Sequence, residues 1–328
     1  MAFLSALKGR QRWAPHIRGV ATLAHEYVKA GGEYGDEQKK TGIIIHGLMG
    51  AGKNLRTLAK DLISTVNQSC TSSSKGWELV LIDLRNHGNS AGLSHLSPPH
   101  NIQAAATDIA ELVKLELHKW PDVIIGHSLG GKVALEFAES CVNGRFGHSA
   151  IYPTQVWVLD SVPGRIDIEQ SGEVENVLKT IKYLPDPLPS RRWLVEHLVS
   201  KGFSKPLADW LGTNLKRISA SSEEMTWIFD VDGIYDMYLS YRQTNYWPFL
   251  ESPPKGMDIG IVRAERSDRW YPALLSKLEH LANTRKIPHS DKGTVSYHVL
   301  EKAGHWLHVD NPKGLIEILA PSLIKMSQ

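Results

Sequence analysis

The stretch Gly126-His127-Ser128-Leu129-Gly130 joins a buried-strand run, Val123-Ile124-Ile125, to a helical stripe of Val133, Phe137 and Cys141. A serine at the centre of G-x-S-x-G, between a strand and a helix, predicts a sharp and strained turn that presents its hydroxyl as a nucleophile. Such a turn leaves no room for neighbouring side chains, and Gly126, Gly130 and Gly131 supply that room. The helix beginning at Leu129 aims unpaired N–H groups at the place where negative charge develops in acyl transfer. A glycine-rich turn without chemistry has the same five letters. The strand before it and the helix after it argue for the chemical reading.

A serine hydroxyl is a weak nucleophile until a base takes its proton, and a third group must orient that base. With a nucleophile on such a turn, the chain order puts the histidine last, beyond the final strand. His305, in Gly304-His305-Trp306, follows the run Tyr297-His298-Val299-Leu300 and is the expected base. Its nearest rival among 15 histidines, His308, falls in the segment leading to the last helix. The oxyanion needs two backbone donors. They are expected to be the N–H of Leu129 and that of Leu48, in the loop His46-Gly47-Leu48-Met49-Gly50 after the first parallel strand. His46 looks titratable, but its ring is expected to fix the turn.

These groups need a scaffold. Short β-branched runs at residues 43–45, 78–83, 123–125 and 156–160 alternate with helical stripes such as Leu58/Leu62/Val66 and Ala105/Ile109/Leu112. That rhythm predicts βαβ units, hence a mostly parallel sheet flanked by helices on both faces. From about residue 166 to 250 helical stripes succeed one another without strands, among them Val174/Val177/Leu178/Ile181 and Leu207/Leu211/Leu215, with a further helix over 234–245. Strands return at 259–262 and 297–300, and a last helix follows Pro312, with Pro321 expected to bend or divide it. The expected organisation is a sheet core of residues 21–165 and 251–328, a helical cap of 166–250, and a basic leader of 1–20.

His46-Gly47, the run Asp83-Leu84-Arg85-Asn86-His87-Gly88-Asn89-Ser90, Gly126-His127-Ser128-Leu129-Gly130-Gly131-Lys132 and Gly304-His305-Trp306-Leu307-His308 together resemble the α/β-hydrolase superfamily. Within it they are most similar to the branch of YbfF-like esterases and abhydrolase domain-containing protein eleven. The resemblance covers residues 22–326 and implies the α/β-hydrolase fold, with esterase or thioesterase chemistry on acyl substrates and no metal or organic cofactor. It leaves two carboxylates for the triad acid. Asp268, after the strand ending at Val262, holds the commonest acid position of the superfamily and is the first choice. Asp160 ends the preceding sheet strand, where the YbfF-like branch carries its acid, and stays open as the alternative; Asp232 in the cap is a distant third.

Eight aromatic residues, Trp193, Trp210, Trp227, Tyr235, Tyr238, Tyr241, Tyr246 and Trp247, fall in the cap, where apolar walls suit an acyl chain. The expected ligand is a small-molecule acyl ester or thioester. A net charge of +2 and the lack of a long Lys/Arg run give no nucleic-acid footprint. No apolar run reaches the roughly 18 residues of a membrane span. The two cysteines, Cys70 and Cys141, form neither a disulfide framework nor a metal motif. Lys8, Arg10, Arg12 and Arg18 precede the first acidic residue, Glu26, as in transit peptides of mitochondria or chloroplasts. A frayed tail on a cytoplasmic enzyme has the same composition, and the early Lys8 excludes a secretory leader. Two other functions share these residues: a hormone-like small-molecule receptor that keeps the fold, and a lyase using the same triad.

Overall fold

The computed structural model describes residues 22–29, 39–69, 76–167, 172–285 and 291–328; the basic leader and Cys70 lie outside them. Strand β1 (His25–Lys29) and β2 (Lys40–Ile45) precede helix α1 (Arg56–Gln68), β3 (Trp77–Ile82), α2 (Ile102–Leu112), β4 (Val123–His127), α3 (Leu129–Val142) and β5 (Gln155–Leu159). An insertion follows, with α4 (Gly172–Lys182), α5 (Arg191–Ser200), α6 (Lys205–Gly212), β6 (Leu215–Arg217), β7 (Met225–Trp227), α7 (Val231–Gln243) and α8 (Trp247–Glu251). The chain then returns through β8 (Asp258–Ala264), α9 (Pro272–Thr284), β9 (Thr294–Leu300), α10 (Leu307–Asp310) and α11 (Pro312–Ser327).

Seven strands form one sheet in the order β1-β3-β2-β4-β5-β8-β9. All neighbours run parallel except the edge strand β1, which pairs antiparallel with β3. The inner strands β2, β3, β4, β5 and β8 are almost wholly buried because both faces are covered, whereas the edge strands β1 and β9 keep polar, part-exposed residues. In β3, Leu79 and Leu81 pack on the α1 and α11 side, while Val80 and Ile82 pack on the side of α2 and α3. Each such fully buried side chain contributes roughly 1.5–3 kcal/mol. The chain leaves β2 toward β3 on one side and resumes with β4 on the other. Loops after β2 and β4 therefore diverge at the carboxyl edge, and crevices for ligands open at such switch points.

Two expectations about the elements are corrected. The insertion is not purely helical: β6 and β7 pair antiparallel as a short hairpin. Strands of three residues are too short to carry a readable period. Pro321 lies inside α11 without dividing it. It costs the helix one N–H donor toward the Glu317 carbonyl, and both residues lie on the exposed face, where water satisfies that oxygen. Among the described residues no helix is long and apolar enough to cross a membrane.

Lys132, one turn beyond Ser128, ties the insertion to the core. Its side chain is fully buried, and its ammonium donates to the carbonyls of Gly164, Tyr241 and Thr244 at 2.7, 2.6 and 3.0 Å. It also lies 4.5 Å from the centre of the Tyr241 ring. Burial pushes its pKa down to about 7, while three carbonyls on its three N–H bonds hold the charged form. Two of those carbonyls come from the C-terminal end of α7, the negative end of its dipole. Lys132→Met fills the space but strands three acceptors, at about 1–3 kcal/mol for each that water does not reach. The expected result is a lower thermal unfolding midpoint, read by circular dichroism. An unchanged midpoint would show that the clamp carries no stability.

Candidate active site

The β4–α3 turn folds as its glycines require. Ser128 sits at φ 54°, ψ −117°, a conformation costing on the order of 1–3 kcal/mol for a residue with a side chain. A Cβ on Gly126 would lie 2.0 Å from the Gly130 carbonyl oxygen, and one on Gly130 would lie 2.6 Å from the carbonyls of Ile45 and His46. The loop after β2 passes equally close, since a Cβ on Gly47 would meet the Ser128 Cβ at 3.2 Å.

Buried neutral histidines set that loop. His46 donates from Nδ1 to the Gly47 carbonyl at 2.7 Å and accepts at Nε2 from the Leu84 N–H at 3.0 Å. Burial pushes it down to about 4, so it fixes the turn without titrating near neutrality. His87 accepts from the Met49 N–H at 3.0 Å and donates to the Arg85 carbonyl at 2.8 Å; burial and the neighbouring His46 push it down to about 3. The Gly50 N–H is bonded to the Gly47 carbonyl. The Asp83-to-Ser90 run is thus a support for this loop. Asp83 receives the N–H groups of Gly52 and Asn89, and Arg85 grips Asp108 with two bonds of 2.6 and 2.7 Å. Nothing local in the sequence marks His87 for that role beyond its place in the motif.

His305 is held at both ends. Its Nδ1 lies 2.7 Å from Asp160 Oδ2, and its backbone carbonyl accepts from His127 Nε2 at 2.8 Å. With Nδ1 engaged, Nε2 is the nitrogen left for the cavity that His305 lines together with Ser128. Asp160 is fully buried at φ 43° just beyond β5, with its N–H on the Val262 carbonyl. Besides His305 its carboxylate accepts from Trp270 Nε1 and Ser267 Oγ, both at 2.8 Å, and from the Ala264 N–H at 3.2 Å. Burial alone would raise its pKa; the hydrogen bond and charge of His305, with the other donors, hold it below the usual carboxylate range.

The geometry sets Asp160, the alternative, against the His305 ring, and not Asp268, the first choice from the sequence. Asp268 is exposed, lines the cavity and acts on His305 only through its charge. Both loops open on one sheet edge, but Ser267 and Trp270 turn inward to Asp160 and leave Asp268 facing the cavity. Asp232 is a surface residue paired with Lys182. Burial and the Arg269 guanidinium push His305 below its ordinary value, against the pull of Asp160 and Asp268. His308, also at the cavity, is pushed by burial to about 4, and its ring stands edge-on to His127 at 5.3 Å.

The model described as the alpha/beta hydrolase family matches residues 44–318. The chain belongs to that family. It is 24% identical over 292 residues to the sn-1-specific diacylglycerol lipase ABHD11 of Mus musculus, covering 88% of this chain and 82% of that one. It is 21% identical over 284 residues to esterase YbfF of Escherichia coli (strain K12), covering 84% and 90%. Among solved structures, a marine microorganism esterase superposes with a TM-score of 0.67 at 22% identity, covering 90% of this chain and 97% of that one.

The cavity of this α/β hydrolase measures about 710 Å³, within the usual range for small-molecule sites. Of the eight Trp and Tyr residues named above, Trp210, Tyr238 and Tyr241 line it. Others pack the insertion on itself or on the core: Trp227 stacks on Phe229, Trp193 on His197, and Tyr246 donates to Glu136 of α3. Among the described residues no group of three or more His, Cys, Asp or Glu converges as a metal site.

Proposed function

We propose that this protein hydrolyses carboxylic esters or thioesters of small molecules through an acyl-enzyme on Ser128. His305 acts as general base, Asp160 orients it, and the N–H groups of Leu48 and Leu129 hold the oxyanion. The observation that carries this reading is the 2.7 Å bond from buried Asp160 to His305, beside a serine strained into the same cavity. The names of the lipase and esterase relatives favour an ester bond.

The steps follow from these positions. Ser128 Oγ attacks the substrate carbonyl while its proton moves to His305 Nε2, and the imidazolium is stabilised by ionised Asp160. The alkoxide that forms meets backbone N–H groups. Met49 and Gly50 spend theirs on His87 and Gly47, so neither competes with Leu48 as that loop's donor. The tetrahedral centre collapses, and His305 returns the proton to the departing alcohol or thiol. Water then repeats the sequence on the acyl-serine and frees the acid.

The test is labelling with a fluorophosphonate, followed by a panel of acyl esters and thioesters. A protein that neither labels nor turns over any of them is no serine hydrolase, and ligand-dependent capture of a partner would then favour a receptor.

The pH profile gives a second check. The base works neutral, so kcat/KM falls as pH drops through its folded-state pKa. Since that pKa lies below the ordinary imidazole value of 6.5, half-maximal activity is expected on the acid side of 6.5. His305→Ala should remove activity and the limb with it, whereas His308→Ala should cost little. The reverse ranking would identify His308 as the base.

A further inference from the structure

The cavity wall is more basic than an acyl pocket needs. Arg165, Arg242, Arg266 and Arg269 line it, against Asp268 and Asp310 as the only carboxylates there among the described residues. Two of the arginines are accounted for. Arg266 donates to the Lys302 carbonyl, and Arg242 pairs with Glu175 at 3.2 Å. Arg269 has no carboxylate partner among the described residues, and its buried Nε finds no acceptor. The buried Nε of Arg242 is likewise without one, in a residue only 9% exposed. Buried guanidinium N–H groups without acceptors are costly and rare.

The backbone presents Arg269 deliberately. Ser267 and Trp270, on either side, are both bonded to Asp160 at 2.8 Å, which fixes the loop and turns Arg269 into the cavity. Its charge is felt by His305 and by Tyr241, so it stands close to the reacting centre. Arg165 and Arg242 adjoin each other, because the Ile166 N–H is bonded to the Arg242 carbonyl at 2.9 Å.

We propose that the substrate carries an anionic oxygen group, a carboxylate or a phosphate, a few bonds from the scissile carbonyl, and that Arg269 binds it. This rests on the hydrolase reading above and narrows its substrate class. The guanidinium fork matches such a group with two parallel N–H···O bonds, and a partly dry wall strengthens them. A neutral diglyceride-like ester leaves that charge unanswered.

The test compares kcat/KM for p-nitrophenyl hemiglutarate and p-nitrophenyl valerate, which share a chain length and differ in the terminal carboxylate. The wild-type protein is expected to prefer the hemiglutarate at least about tenfold, with the preference falling as salt rises. Arg269→Gln should reduce that ratio by about ten- to a hundredfold, and Arg269→Lys should restore part of it. An arginine that serves only the fold or the tuning of His305 would lower both esters alike and leave the ratio untouched, which overturns the proposal. Calorimetry on Ser128→Ala protein reads binding without turnover. Glutarate or inorganic phosphate should bind, the tighter naming the group, and Arg269→Gln in that background should abolish it. If neither ester is cleaved yet glutarate binds through Arg269, the hydrolase reading fails and the anion site stands. If both esters are cleaved and neither anion binds, the anion site fails alone.

Discussion

Ser128→Ala is expected to lower ester turnover by on the order of ten-thousand- to a millionfold, the range seen when a triad nucleophile is removed. Without that oxygen the proposed acyl-enzyme route is closed. The residual rate comes from whatever the oxyanion donors and the cavity do for direct attack by water. The fold should survive. Alanine adds no atom to a turn whose neighbours at Gly126 and Gly130 have no space for one. Turnover, fluorophosphonate labelling and the thermal midpoint together check this. A variant that keeps its midpoint and near-wild-type turnover would remove Ser128 from the mechanism.

Asp160→Asn carries the next largest effect, expected at about a thousand- to ten-thousandfold in kcat by analogy with triad acids. The amide has one accepting oxygen where the carboxylate has two, and Asp160 receives four donors. The acceptor lost is either Oδ2, which serves His305 Nδ1 and Ser267 Oγ, or Oδ1, which serves Trp270 Nε1 and the Ala264 N–H. A tautomer with the proton on Nε2 then becomes favourable, and that nitrogen can no longer take the serine proton. Asp268→Asn should be mild at the pH plateau. Its charge holds the His305 pKa up, so removing it should move the acid limb of the profile to lower pH. A large plateau loss for Asp268→Asn with a small one for Asp160→Asn would make Asp268 the acid, and the 2.7 Å bond merely structural.

The chemistry-bearing residues divided sharply in how legible they were. The turn at Ser128 announces itself locally, because a strand-to-helix turn this tight requires glycines at fixed offsets, and those offsets are a sequence pattern. His305 is nearly as local: it needs only to follow the last strand. Periods of two and of about 3.6 likewise expose the strands and helices that carry them. The parallel order of the sheet follows from their alternation.

The rest depends on contacts between segments far apart in the chain. Asp160 and Asp268 both follow sheet strands, and no spacing tells which side chain reaches an imidazole 145 or 37 positions away. That was decided by two residues beside Asp268, Ser267 and Trp270, turning to the buried carboxylate. The roles of His87 and His127, which pin the loop of Leu48 and the carbonyl of His305, arise only where β2, β3, β4 and the chain beyond β9 meet at one edge. Nothing in the sequence marks Arg269, and only the folded cavity places it on the wall without a carboxylate partner among the described residues. Periodicity and steric demand are properties of a short segment, which is why the sequence alone determined the scaffold and singled out Ser128 and His305 as candidates. Charge pairing and hydrogen-bond satisfaction are properties of a whole site, which is why only the tertiary structure set Asp160 against His305 and brought four arginines to one cavity wall.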